Sequence, residues 1–280
     1  MVTPTGLQLR GVLLAPGDRP AIIVPITGRD EVTILIQADE VAASAADMAE
    51  WRADYFLADG TRQGDVSAMM THLRRHLHDK PLLFTVRTSE EGGLISPTSE
   101  TYLSLLATGL ASGVVDLVDI QSHQPGARQA VEMAHAAGVP VLASWHDVTG
   151  TPDTDTMRAV LVDHRALGAD AAKIAVLARR PGDAERLMVL ARQASRDLGI
   201  PLIAVAMGEL GRPTRLLGRQ FGSCATFASL ESSSSAPGQL PVEAVAAALD
   251  AQVSAAQASP GSSSTESAPT AQPPGAQDPS

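Results

Sequence analysis

The chain has 280 residues and a mass of 29.0 kDa, and its 44% hydrophobic content supplies a sizeable core for one large domain or two small ones. Its 31 acidic against 21 basic residues give a formal charge of −10, and aromatics make up only 3%, which argues against nucleic acid or an anionic membrane as the main partner. The single cysteine, Cys224, excludes an internal disulfide framework and a cysteine-based zinc cluster, while the absence of any apolar run near the roughly 18–20 residues of a membrane span, or of a leader-like N-terminus, predicts a soluble cytoplasmic protein.

In chain order, Leu7–Arg10 and Val12–Leu14, followed by Pro16-Gly17, carry a weak strand–turn signal. A hairpin capping the domain is expected there. Strand-like runs then fall at Ala21–Thr27, Met48–Arg52, Leu82–Arg87, Val114–Ile120, Val139–Trp145, Ala171–Val176, Leu202–Met207 and Ser223–Phe227. Helical periodicity fills the gaps at Glu31–Ala43, Asp65–His78, Ser99–Ser112, Pro125–Ala137, Asp153–Leu167, Pro181–Leu198, Thr214–Gln220 and Pro241–Ala255. Gly113, Gly138, Gly168 and Gly199 each close a helix just before the next strand. Eight such units predict an α/β fold, a (β/α)8 TIM barrel. A doubly wound sheet is the alternative, but no Gly-x-Gly-x-x-Gly follows the first strand. Gln257–Ser280 is mostly Ser, Pro, Ala, Gln and Gly without a large apolar residue. It reads as a disordered tail behind a single catalytic domain over residues 1–256.

A barrel gathers chemistry at the C-terminal ends of its strands. Those ends carry Glu50 and Arg52, Arg87 followed by Glu91, Asp119 and Gln121, His146, and Lys173. Met207 and Arg215 follow the seventh run. Only two of the 21 basic residues are lysines, Lys80 and Lys173. By alternation Lys173 points into the barrel, where burial and neighbouring arginines lower its pKa. A neutral amine attacks carbonyls, so a Schiff base is the natural chemistry. A structural ion pair is the competing reading of a strand lysine, and the histidine at the adjacent strand end favours the nucleophile. His146 suits the acid and base steps, with Glu91 to orient it. The other histidines, His72, His76, His78, His123, His135 and His164, fall in helices or loops and are expected to face solvent. His72, His76 and His78 show no partnering carboxylate pattern, and no metal site is expected. Arg52, Arg87 and Arg215 suit an anionic, hydroxyl-rich substrate, Arg215 as a bidentate carboxylate clamp. The serine run Ser232–Ser235 and Ala236-Pro237-Gly238-Gln239 fall where a lid belongs, with Ser235 and Gln239 able to hydrogen-bond the substrate.

Taken together, these segments resemble the type I 3-dehydroquinate dehydratases, Schiff-base enzymes of the shikimate pathway. The resemblance rests on Glu50-Trp51-Arg52-Ala53-Asp54, Phe84-Thr85-Val86-Arg87 with Glu91-Gly92-Gly93, Ser144-Trp145-His146-Asp147, and Gly168–Ala175 around Lys173. It continues through Met207, Arg215-Leu216-Leu217-Gly218, Phe221-Gly222-Ser223, Ala225-Thr226-Phe227 and Ser235–Gln239. It implies that Lys173 forms an imine with the C3 ketone of 3-dehydroquinate and that His146 moves the protons with Glu91 as its partner. It further implies that Glu50, Arg52 and Arg87 hold ring hydroxyls, and that Arg215, Ser235 and Gln239 bind the carboxylate and close the lid. The products would be 3-dehydroshikimate and water. No cofactor or metal is implied, and the usual assembly is a homodimer.

Three features depart from the family pattern. Gln121 stands where the family usually has glutamate, which removes a negative charge near the site. The run Ser232–Ser235 holds one extra residue, and Ser235 is assigned the binding role because it abuts Ala236. The tail has no counterpart in the family core. Two other readings share the barrel: a class I aldolase using the same kind of lysine, and a catalytically inactive barrel that binds a carboxylate. The region after the seventh and eighth strands lacks a glycine-rich phosphate cradle, which disfavours the first. Intact Lys173, His146 and Glu91 disfavour the second.

Overall fold

A two-residue turn at Arg10-Gly11, with φ 37 and 87, folds β1 (Leu7–Leu9) back on β2 (Val12–Leu14). Positive φ at both positions matches the twist of an antiparallel pair, and glycine takes it without strain. Leu9 and Leu14 are buried in one cluster with Ile23, Met48, Leu83, Leu117, Leu142 and Ile203. The expected hairpin cap is therefore present, plugging the N-terminal end of the barrel. Burying each such leucine contributes roughly 1.5–3 kcal/mol. The structure, a computed structural model, describes residues 6–58, 60, 63–231 and 236–258. Ser235 and the expected tail from residue 259 onward lie outside the described residues.

The eight barrel strands are β3 (Ala21–Ile26), β4 (Met48–Arg52), β5 (Leu82–Thr85), β6 (Leu117–Gln121), β7 (Val141–Asp147), β8 (Ala171–Leu177), β9 (Leu202–Met207) and β10 (Ala225–Phe227). They pair in parallel in chain order, and β10 returns to β3. Between β9 and β10 the Cys224 amide donates to the Leu202 carbonyl at 2.8 Å, beside a parallel bridge from Leu202 to Ser223. The barrel is thus nearly closed, as expected from the alternating pattern.

Around it lie α1 (Glu31–Ala43), α2 (Ala53–Leu57), α3 (Gln63–Leu77), α4 (Ser99–Ala111), α5 (Ala127–Ala136), α6 (Thr154–Leu167), α7 (Asp183–Asp197), α8 (Arg212–Leu216), α9 (Gly218–Phe221) and α10 (Val242–Ala258). Asp30, Thr98 and Asp153 cap α1, α4 and α6 by accepting the amide of the residue three positions on. Outward residues such as Val24, Trp51, Phe84, Ile120 and Ile174 pack under these helices. Inward residues form an apolar floor and then a polar layer, because strand side chains alternate. Met48 lies below Glu50 and Arg52, Leu117 below Asp119 and Gln121, and Ala171 below Lys173.

Several boundaries differ from expectation. The third barrel strand stops at Thr85, and Arg87 belongs to the segment leading into a short 3-10 turn, Ser89–Glu91. The fourth begins at Leu117, because Asp116 makes the turn by donating its amide to the Leu82 carbonyl. The helix expected at Thr214–Gln220 is split into α8 and α9 at Leu217. The helix α2 was not expected at all. Finally, α10 runs through Gln257 to Ala258, past the expected tail boundary at residue 256.

Candidate active site

Lys173 sits in β8 opposite Ser144 of β7, and His146 lies opposite Ala175. Both functional side chains therefore rise from neighbouring strands into the barrel mouth. Lys173 is buried, with its Nζ 4.1 Å from the centroid of the Phe227 ring. Burial lowers its pKa, and Arg87 and Arg52 act the same way against the opposing pull of Glu50 and Asp119. The amine is thereby shifted towards its nucleophilic form.

His146 Nδ1 lies 2.8 Å from Glu91 Oε2. Burial, followed by the charges of Arg87 and Lys173, holds the imidazole well below its ordinary pKa. Burial pushes the Glu91 carboxyl the other way, up to about 7, with Asp119 adding to the shift and Arg87 and Gln121 restraining it. A neutral imidazole beside a carboxyl poised near neutrality is suited to giving and taking a proton.

Arg87 organises the floor of the site. Its Nη2 donates to Asp119 Oδ2 at 2.7 Å, and its Nη1 donates to Ser144 Oγ at 3.0 Å and Glu91 Oε2 at 3.1 Å. Ser144 in turn donates to Asp119 Oδ1 at 2.7 Å. Asp119 and Ser144 were not assigned a role from the sequence. Their signal was the alternation that also singled out Lys173, since Ser144 is its register partner. Gln121 is fully buried, accepts the Thr88 amide at 2.7 Å and donates to Thr88 Oγ1 at 3.0 Å. It thus secures the turn that carries Glu91.

Glu50 accepts from Thr85 Oγ1 at 2.9 Å. Arg52 is clamped by Asp54 through two bonds of 2.7 and 2.8 Å, so two of its nitrogens are already engaged. Arg215 is 1% exposed and donates to the carbonyls of Phe227 and Pro237 at 3.1 and 3.3 Å. No carboxylate pairs with it among the described residues, its Nε is buried without a partner, and burial brings its pKa down to about 10.

One cavity of about 190 Å³ is lined by Glu50, Arg52, Arg87, Glu91, His146 and Lys173. Arg215 and Gln239 line it too, with Met207 and Phe227 as apolar walls. The structure thus unites every expected site residue that it describes. Ser235 lies outside the described residues, although Ala236 and Pro237 reach the same cavity.

The histidine expectations need correction. His164 is fully buried in α6, with Nε2 3.0 Å from Ser122 Oγ, and burial drops its pKa to about 3. His72 and His76 do have carboxylate partners, Glu31 and Asp39, each at 2.7 Å across the α1–α3 contact. Those partners lie 41 and 37 residues away in the chain, beyond the reach of a local pattern.

A parallel eight-stranded barrel with a buried amine beside a histidine–carboxylate pair, and in the same cavity a buried guanidinium that no carboxylate among the described residues pairs with, defines a barrel enzyme built to act on a small anionic carbonyl compound. The family model for type I 3-dehydroquinase matches residues 22–254, and the chain belongs to that family. It is 37% identical over 246 residues to the 3-dehydroquinate dehydratase of Geobacillus kaustophilus, covering 87% of this chain and 95% of that one. The crystal structure of 3-dehydroquinate dehydratase from that organism superposes with a TM-score of 0.84 at 35% identity, covering 90% of this chain and 98% of the other. A type I enzyme from Clostridium difficile, solved with covalently modified comenic acid, also gives 0.84 at 30% identity, over 90% of this chain and 100% of the other.

Proposed function

We propose that this cavity dehydrates 3-dehydroquinate to 3-dehydroshikimate through an imine on Lys173. The observation that carries the mechanism is the desolvated amine of Lys173 in one cavity with the His146–Glu91 pair. The family match displaces the aldolase reading, since the named relatives are 3-dehydroquinate dehydratases.

The neutral amine attacks the C3 carbonyl carbon, and the oxygen takes a proton to give a carbinolamine. His146, carrying the proton that the Lys173 ammonium gave up to become the amine, protonates the departing hydroxyl, and the nitrogen lone pair forms the C=N bond as water leaves. The iminium acidifies the C2 proton, which His146 removes, and the electron pair moves towards nitrogen. The resulting enamine expels the C1 hydroxyl as water, with the proton returned by His146. Hydrolysis of the iminium releases product and restores the amine. One histidine thus serves several transfers, and ionised Glu91 holds its Nδ1–H so that Nε2 faces the substrate.

Arg215 takes the substrate carboxylate: a buried cation that no carboxylate pairs with among the described residues gains most from an incoming anion. Glu50, Arg52 and Arg87 hold the ring hydroxyls, and Ser235 and Gln239 join Arg215 in binding the carboxylate and closing the lid. The lone cysteine and the family resemblance also support a cytoplasmic homodimer, and sedimentation at the mass of a single chain would contradict the dimer.

The direct test adds 3-dehydroquinate and follows enone absorbance. The expected result is a steady rise that stops when substrate is exhausted. Tight binding without a rise would mark an inactive carboxylate-binding barrel, and C–C cleavage products would mark an aldolase.

A further inference from the structure

Phe227 is the last residue of β10, and it touches two parts of the site at once. Its ring face lies 4.1 Å from Lys173 Nζ, and its carbonyl accepts from Arg215 Nη1 at 3.1 Å. Both Phe227 and Lys173 are 6% exposed, so little water screens the contact. An aromatic face carries negative quadrupole charge and attracts a cation, most strongly when the pair is desolvated. We propose that the face of Phe227 is a catalytic group, which stabilises positive charge on the Lys173 nitrogen as ammonium in the free enzyme and as iminium in the covalent intermediate.

The inference rests on the imine chemistry proposed above and adds to it. When the amine loses its proton, or when water adds to the iminium to give the carbinolamine and releases a proton, the nitrogen becomes neutral and the attraction is lost. The ring therefore favours the iminium over the carbinolamine. Glu50 and Asp119 also favour positive charge here, whereas Arg87 and Arg52 oppose it. Phe227 offsets part of that opposition without adding a carboxylate that could trap the amine in a salt bridge. The carbonyl contact ties the same residue to the guanidinium proposed to hold the substrate carboxylate, so one residue touches both the anion clamp and the imine nitrogen.

The test replaces Phe227 with mono-, di- and trifluorophenylalanine. Fluorine drains the π face while nearly preserving ring shape, so folding and packing are retained. Each protein is mixed with 3-dehydroquinate, quenched with borohydride, and weighed intact to give the fraction held as imine. At a pH above the pKa of Lys173, where the free enzyme carries the neutral amine, the equilibrium constant for imine formation is expected to fall stepwise with each fluorine, by about tenfold over the series. The pKa of Lys173, read from the pH dependence of its modification rate, should fall in parallel. Phe227→Leu should lie at the weak end of the series. An imine fraction and a Lys173 pKa that ignore the fluorine count would overturn the role of Phe227 while leaving the imine mechanism intact. No adduct even with the natural residue would overturn the imine mechanism itself, and this inference with it.

Discussion

An amide rather than a carboxylate at position 121 changes how readily Glu91 ionises. Gln121 fixes Thr88 through two hydrogen bonds, and its side chain also favours the charged form of Glu91. Glutamate in its place keeps the length and can still accept the Thr88 amide, but adds a charge near Glu91, Asp119 and Lys173. Like charge raises a carboxyl pKa and opposite charge raises an amine pKa. Both Glu91 and Lys173 must lose a proton to work, so both shifts move the acid limb of kcat/KM to higher pH. For Gln121→Glu the limb should rise by about one pH unit, with the loss greater at pH 6 than at pH 8. A limb that stays in place would mean Gln121 only fills space. At this scale the sequence was informative wherever alternation decides orientation. Lys173, His146, Glu50 and Arg52 were legible because inward positions of short parallel strands can be counted. Asp119 and Ser144 share that geometry, but their value lies in holding Arg87, a contact between strands that no single run displays. The burial of His164 depends on which face of α6 meets the barrel, and the carboxylate partners of His72 and His76 arrive from another helix.

The segment from Arg87 to Gly93 shows what an element adds. It is not strand, although Arg87 was expected to end one. It turns through Ser89–Glu91, and the Gly93 amide donates to the Thr88 carbonyl at 2.8 Å. A Cβ on Gly93 would lie 1.9 Å from the Arg87 carbonyl oxygen, a backbone atom that cannot rotate aside. Gly93→Ala therefore has to displace the loop bearing Arg87 and Glu91. Misplacement of about 1 Å in such a group costs on the order of 100-fold in rate, and kcat should fall by that much. Lys173 lies on a different strand, so slow borohydride trapping should persist in this variant. Near-normal turnover would show that the loop tolerates the shift. The regular elements were legible to the residue in places: Met48–Arg52, Leu202–Met207 and Glu31–Ala43 have the expected bounds. The irregular ones were not. At the break between α8 and α9 Leu217 leaves helical geometry with φ −98 and ψ 13, and a Cβ on the next residue, Gly218, would lie 2.9 Å from Pro20 and 3.1 Å from the Ser223 carbonyl, tertiary contacts that helical periodicity does not contain.

At the scale of the whole molecule, closing the barrel brings together residues more than 180 positions apart, from Glu50 to Gln239, around one cavity. A chain of net charge −10 thereby gathers three arginines and a lysine where a carboxylate substrate is to bind. The eight-unit pattern made that convergence legible before any coordinates, because strand ends in such a barrel share one face. What it could not supply was depth: burial, rather than position alone, depresses the pKa of Lys173, and among the described residues no carboxylate pairs with the buried Arg215. The central claim is that Lys173 becomes covalently joined to the substrate. Borohydride added with 3-dehydroquinate should inactivate the enzyme and leave it untouched when added alone. Peptide mapping has only two lysines to distinguish, and the label should fall on Lys173. Lys80, whose Nζ donates to the carbonyls of Ser44 and Ala46, should remain unmodified. Lys173→Arg should keep the charge and lose both trapping and turnover. A label on Lys80, or robust turnover in Lys173→Arg, would contradict the account.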